Sequence, residues 1–218
     1  LLWCMSGEVP HESEAKVMDV SLILYAEHDF NASTFTSRVI ASTNGDLHSC
    51  VCGGIGALKG NLHGGANEAA MEMLQEIMEA VEGGSTVDGF MQHAFETKKK
   101  LMGFGHRVYK NGDHRAGILR SWGLKYAEEA NPEAKKWFDL GDEVQAIMLR
   151  DKNIHPNVDF PCGMTYYAMG IPVPQYTPIF VVSRITGWCA QIMEQHQNNR
   201  IIRPLARYDG EELRNWND

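Results

Sequence analysis

Apolar residues recur at three- and four-residue steps along most of the chain, the period of a helix that buries one face. From Asp19 to about Thr43 the pattern runs with few breakers and predicts one long helix, buried on more than one side. A glycine-rich stretch follows, Gly53-Gly54-Ile55-Gly56 and then Gly60-Asn61-Leu62-His63-Gly64-Gly65. Ala66 to Val81 is amphipathic, with Met71, Leu74, Ile77 and Met78 on one face. Gly83-Gly84-Ser85 stops it and offers a cap for a helix from Thr86 to about Lys100. Leu101 to Arg115 reads as a glycine-bearing loop, and Ser121 to Arg150 as two helices broken near Asn131-Pro132. Ile154-His155-Pro156-Asn157 is a turn, Phe160 to Met169 a helix ending at Gly170, and Thr177 to about Gln195 the last strong helix. The polar tail, Asp209 to Asp218, is expected to be loosely held. No stretch alternates with period two, so the predicted class is all-α, with helices packed in layers. Residues 56–151 are more polar than their flanks and read as a smaller lobe between segments 1–55 and 152–218.

Composition narrows the function. A chain of 218 residues with 44% apolar content buries roughly 70% of its unfolded surface and needs no covalent staples. A net charge of −8 argues against a nucleic-acid partner, whose phosphates need a basic face, and confines anion binding to local arginines. Cysteines number five, and Cys50-Val-Cys52 is too tight for the usual zinc pair. They are expected to be reduced, as in a cytoplasmic protein. No apolar run approaches the roughly 20 residues that span a bilayer, so no membrane role is expected. The chain opens Leu1-Leu2-Trp3-Cys4, without an initiator Met and inside an apolar run, and is expected to be part of a longer polypeptide.

Two histidines stand on glycine-flanked backbone that lets a ligand come close. His63 precedes the helix from Ala66, whose positive end favours a neutral imidazole; it serves equally well as a ligand contact or as a turn residue capping that helix. His106 lies in Gly103-Phe104-Gly105-His106-Arg107, with Arg115 nine residues on. A histidine and an arginine on one loop can grip the carbonyl and carboxylate of one small anion. Asp159, between Val158 and Phe160, is either an N-cap or a partly desolvated base, and locally the cap is the commoner outcome. Arg184 sits in the apolar run Ile179 to Ile185 and needs an anionic partner. Arg200, Arg203 and Arg207 form a basic cluster, ordinarily a solvated face. His28 lies among Asn31, Ser33, Thr34 and Thr36 on the predicted first helix, either a site wall or a satisfied core histidine. None of the nine histidines pairs at i, i+4 with a third ligand nearby, so no metal is expected.

Taken in order, these segments resemble the citrate synthase family over residues 13–208. The motifs are Ala26-Glu27-His28-Asp29-Phe30-Asn31-Ala32-Ser33, Leu62-His63-Gly64-Gly65-Ala66-Asn67-Glu68, Gly103-Phe104-Gly105-His106 with Asp113 and Arg115, Pro156-Asn157-Val158-Asp159, Ser183-Arg184 and Arg203-Pro204. The resemblance implies an acyltransferase that condenses acetyl-CoA with oxaloacetate to citrate and CoA in the tricarboxylic acid cycle. Asp159 would be the base that deprotonates the acetyl methyl group. His63 would stabilise the enol at the thioester oxygen, and His106 would act as acid on the keto oxygen. His28, Arg115, Arg184 and Arg203 would bind oxaloacetate, with Arg203 shared across a homodimer. Leu101, Met102, Gly103, Phe104 and Gly105 would form part of the CoA loop. The thioester is then a substrate, and no separate cofactor is implied.

In the family's architecture residues 1–55 and 152–218 would belong to a large domain, 56–151 to a small one that closes over it, and this chain would be little more than half of a subunit. Two positions depart from the family pattern: His114 stands where Asp-Pro-Arg is usual, and Asn61 where Pro is usual. The nearest alternative is 2-methylcitrate synthase, which uses propionyl-CoA, although the run Phe104 to Lys110 is closer to the citrate enzymes. An alternative of another class is an inactive fragment or interaction module, against which stand the three retained groups His63, His106 and Asp159.

Overall fold

A computed structural model describes residues 1–212 and 214–216; the last part of the polar tail, at 213, 217 and 218, lies outside the described residues. The described chain is all helical, with a single isolated bridge between Phe104 and Pro156. A short α1 (Leu2–Ser6) precedes α2 (Glu12–Tyr25) and α3 (Ala32–Ser42). Then come α4 (Leu47–Leu58), α5 (Ala66–Glu82), α6 (Val87–Glu96), α7 (His114–Ala130) and α8 (Lys135–Lys152). The last two are α9 (Asp159–Ala168) and α10 (Tyr176–Gln197).

One expectation about helix extent is corrected. The long helix from Asp19 to Thr43 is two helices, because Asn31 caps α3: its Oδ1 accepts the Thr34 N–H at 3.1 Å. Asp29 takes a left-handed turn (φ 49°) just before it, so His28 lies in a connector rather than on a helix. The glycine-rich stretch Gly53 to Gly56 is helical. It lies inside α4, where missing side chains let helices approach closely. A Cβ on Gly54 would lie 2.6 Å from Ser37 Oγ and 3.1 Å from the Trp188 ring. The division expected at residue 56 falls within α4.

The centre of the core is α9, buried along its length, and the inner face of α10. α9 is covered by α5, α7 and α8, and α10 lies across α2, α3, α4 and α5. Phe160, Cys162, Met164 and Tyr166 of α9, with Tyr176, Ile179 and Trp188 of α10, are buried. The consequence for function lies in the connectors. α3, α5, α7 and α9 all begin at one place, so their connectors, at 26–31, 59–65, 97–113 and 153–158, meet there. The two last connectors are stitched together. Gly105 N donates to His155 O (2.8 Å), Asn157 N to Gly103 O (2.9 Å) and Asn157 Nδ2 to Gly105 O (2.9 Å). Gly103 needs its left-handed φ of 81° and its bare Cα, since a Cβ would lie 2.8 Å from Phe160 Cβ.

The two classes of helical glycine separate in a denaturation experiment. Gly54→Ala is expected to lower stability by about 1–2 kcal/mol through overpacking against Trp188. Gly56→Ala, exposed and with nothing in the way of its Cβ, is expected to raise it by up to about 1 kcal/mol.

Candidate active site

A cavity of about 80 Å³ opens where the helices begin; it is lined by Tyr25, His28, Asn31, His63, His106, Arg115, Val158, Asp159, Phe180 and Arg184. An adjoining groove of about 260 Å³ runs along Leu101, Met102, Gly103, Phe104 and Gly105, with Asn61, Lys100 and Arg107 at its sides. His63, His106 and Asp159 line both. A separate cavity of about 320 Å³ on the far side of Asp113, lined by His114, Arg120 and His155, contains none of these three.

Positive charge is built into the cavity. Arg184 is 2% exposed; its Nε donates to the Tyr25 carbonyl at 2.6 Å, while its buried Nη1 has no hydrogen-bond partner among the described residues. A buried guanidinium N–H without an acceptor is costly, so the site is set up for an anionic oxygen. Burial, with Arg115 nearby, lowers the Arg184 pKa to about 10, which leaves it charged. Arg115 is in the first turn of α7, not on the loop with His106 as expected, because Asp113 caps that helix. Asp113 takes Arg115 Nε at 3.0 Å and Nη2 at 2.8 Å, and also accepts the N–H of Val158 at 3.2 Å. Burial alone would raise the Asp113 carboxyl; the Arg115 guanidinium and these N–H donors hold it below its usual range. His114, standing where the family has proline, is the exposed first residue of α7, where proline and other residues both fit.

The three histidines that line the cavity favour the uncharged form, and the tautomers of His63 and His106 follow from fixed backbone donors. Ser33 N donates to His63 Nε2 at 3.3 Å, with Ser33 Oγ 2.8 Å away, so the His63 proton sits on Nδ1. Val108 N and Tyr109 N donate to His106 Nδ1 at 3.0 and 3.2 Å, which places its proton on Nε2. Burial first, then the Arg184 charge, lowers His63 to about 4, which keeps it neutral. Burial and Arg115 also lower His28 and His106. His28 Nε2 lies 3.0 Å from Tyr109 Oη, and the Tyr109 ring stacks on His106 at 4.7 Å.

Asp159 is no N-cap. It is the first residue of α9, its own N–H goes to Asn157 Oδ1 (3.0 Å), and its Oδ1 accepts Tyr25 Oη at 2.7 Å. Burial raises its pKa to about 6, against the opposing pull of the Tyr25 hydrogen bond and Arg115. The arrangement is a carboxylate ready to take a proton, two neutral imidazole donors and two arginines, all lining one cavity. Tyr25, Tyr109 and Phe180 were not singled out from the sequence, since an aromatic residue at helical spacing reads as core. Arg203 does not reach this cavity: it is exposed, and its Nη1 donates to Pro204 O at 2.8 Å.

Residues 1–205 match the family described as citrate synthase, C-terminal domain. The chain belongs to the citrate synthase family. Among curated relatives in that family, a 2-methylcitrate synthase of Shewanella oneidensis is 48% identical over 209 residues, covering 96% of this chain and 54% of the relative. A citrate synthase of Mycolicibacterium smegmatis is 46% identical over 208 residues, covering 95% and 54%. The chain therefore spans about half the length of the curated relatives it matches. Among solved structures, the citrate synthase of Thermoplasma acidophilum, in ternary complex with carboxymethyl coenzyme A and oxaloacetate, matches with a TM-score of 0.88 and 36% identity. That match covers 99% of this chain and 57% of that one.

Because the folded pKa of Asp159 lies above the value of 3.8 for a free aspartate, ionised Asp159 destabilises the fold, an effect fully present above about pH 6 and relieved as pH falls through that range. Asp159→Asn is accordingly expected to melt at the same or a higher temperature at pH 7.5, measured by calorimetry or circular dichroism.

Proposed function

We propose that the complete protein condenses a short acyl-CoA thioester with oxaloacetate, acetyl-CoA giving citrate and CoA. The observation that carries this reading is that His63, His106 and Asp159 line both the arginine-walled cavity and the groove beside it. One chamber suits a small dicarboxylate and the other a thioester arm, with the three groups at their junction. Asp159 takes a proton from the acyl α-carbon. His63 donates its Nδ1–H to the thioester oxygen, so the enol forms without a free enolate charge. His106 offers its Nε2–H to the keto oxygen of oxaloacetate and passes that proton on as the new carbon–carbon bond forms. Water then cleaves the thioester to release citrate and CoA. Each acid or base contributes about 10²–10⁴-fold.

Arg115 and Arg184 hold the oxaloacetate carboxylates as planar forks, with His28 as a further ligand. The thioester arm runs along Leu101–Gly105, with Lys100 and Arg107 supplying positive charge for its phosphates. Arg203 is assigned to the cavity of a second subunit in a homodimer, which accounts for its extended, exposed setting here. Residues 56–151 are assigned to a small domain that closes over the rest and excludes water. No separate cofactor is required. No helix among the described residues is long and apolar enough to cross a membrane, and a cytoplasmic location is proposed with the reduced cysteines in support.

A second reading, propionyl-CoA as the preferred thioester, is favoured by the Shewanella oneidensis relative. Steady-state thiol release by the full-length protein with oxaloacetate decides between them. We expect kcat/KM for acetyl-CoA to exceed that for propionyl-CoA by tenfold or more, since one methylene is worth about 1–3 kcal/mol. The reverse ratio assigns the second reading, and no turnover with either overturns both. Asp159→Asn is expected to lose about 10²–10⁴-fold in kcat while still binding oxaloacetate. Arg184→Leu is expected instead to raise the oxaloacetate KM at least tenfold, as a lost charge-assisted clamp should.

A further inference from the structure

Asp159 is the first residue of a helix, yet its carboxylate caps nothing. Among the described residues its side chain has one hydrogen-bond partner, the phenol of Tyr25, 134 positions earlier in the chain. Tyr25 is the last residue of α2 and is 1% exposed. It is held from both ends. Its ring meets Phe180 edge-on at 4.2 Å, and its carbonyl accepts the Arg184 Nε at 2.6 Å. Phe180 in turn carries the Arg184 guanidinium over its ring at 4.8 Å and faces the His63 ring at 6.2 Å. One residue thus touches the group assigned to the acyl proton through its side chain and the group assigned to oxaloacetate through its backbone.

We propose that Tyr25 is a positioning residue for the base: its hydroxyl occupies Asp159 Oδ1, fixes the carboxylate plane and leaves Oδ2 for the incoming α-proton. This rests on the reading of Asp159 as the base. A carboxylate free to rotate about χ2 would present its lone pairs in many directions, and misplacement by a fraction of an ångström is costly to proton transfer. The phenol also keeps the carboxylate ionised in this cavity, because a hydrogen bond to the charged form favours that form. The other groups facing Asp159 act by charge. Arg115 from α7 and Arg184 from α10 favour the ionised carboxylate, and Asp113 disfavours it. The Cys162 thiol, three residues along α9, stays protonated beside it, and the neutral His63 and His106 share its cavity. Removing the Tyr25 hydroxyl therefore takes away a donor without changing any charge.

The simpler account is that Tyr25 is a core aromatic residue whose hydroxyl is satisfied by the nearest carboxylate. Tyr166 serves as the control for it. That residue is as deeply buried and also touches the Cys162 thiol, but its Oη lies 2.5 Å from Ser21 Oγ and has no hydrogen bond to Asp159 among the described residues. The experiment measures kcat and kcat/KM from pH 5 to 9 in the full-length protein, for Tyr25→Phe, Tyr166→Phe and Asp159→Asn.

For Tyr25→Phe we expect the acid limb of kcat/KM for acetyl-CoA to move up by about half a pH unit or more. We also expect kcat at pH 7 to fall about tenfold with partial recovery at high pH, while the oxaloacetate KM stays within about twofold. Tyr166→Phe is expected to lose stability with an unmoved limb. Replacing Tyr25 by a monofluorinated tyrosine, a stronger donor of nearly the same shape, is expected to move the limb the opposite way, and it tests the inference even where Tyr25→Phe fails to fold. An acid limb that stays put in a folded Tyr25 variant, with Asp159→Asn inactive, overturns this inference alone. Near-normal rates in Asp159→Asn overturn the base assignment on which it rests.

Discussion

Asp113 is 6% exposed and stays charged, a state that costs several kcal/mol unless the charge is paired and hydrogen-bonded. Its partners explain much of the site. One oxygen takes the Arg115 Nε and backbone N–H, and the other takes the Arg115 Nη2 and the Val158 N–H. The first set starts α7 and aims a guanidinium into the cavity. The second binds the residue immediately before Asp159. A single buried carboxylate therefore fixes both an anion clamp and the root of the proposed base. The stitched connectors at 103–105 and 155–157 extend the same tie to the groove that adjoins the cavity.

Around that tie, charge is distributed against the trend of the whole molecule. The chain carries a net −8, yet four helices begin at the cavity, two arginines enter it, and burial keeps three histidines uncharged. Neutral imidazoles suit hydrogen-bond donation to developing oxyanions, because they can give a proton without starting as cations that compete with the arginines for the substrate. The exception is Asp159, a carboxylate held near pKa 6 by opposing effects: burial pushes it up, while Tyr25 and Arg115 pull it down. That balance leaves it about 90% ionised at pH 7 and still basic enough to accept a proton.

Periodicity located most of the helices well. α5, α8, α9 and α10 begin and end within a few residues of the predicted spans, because each carries an apolar face bounded by glycine, asparagine or proline, whereas α7 begins at His114, seven residues before the predicted start. It failed where apolar spacing continues across a cap. Asn31 interrupts the run from Asp19 to Thr43, and its side chain, not the hydrophobic pattern, ends the first helix and places His28 in a connector. It assigned no element to Gly53 to Gly56, because glycine in a helix marks close contact with another helix, which only the facing Ser37 and Trp188 reveal.

The sequence by itself determined the all-α class, the family, and the identity of the groups that meet in the cavity: His28, His63, His106, Arg115, Asp159 and Arg184. Those residues stand in short, ordered motifs whose backbone demands, such as glycines beside His63 and His106 and an aspartate shortly before Arg115, are local. It did not determine which of the local alternatives each group adopts. Asp159 reads more readily as a cap, and His63 equally as a turn residue, until α2 and α3 bring Tyr25 and Ser33 against them from far along the chain. Tertiary packing also decided the protonation of the site, since burial and charges from other helices set the pKa of Asp159 and His63. The motifs supply the chemical groups; the contacts between distant helices decide which atom of each group holds a proton.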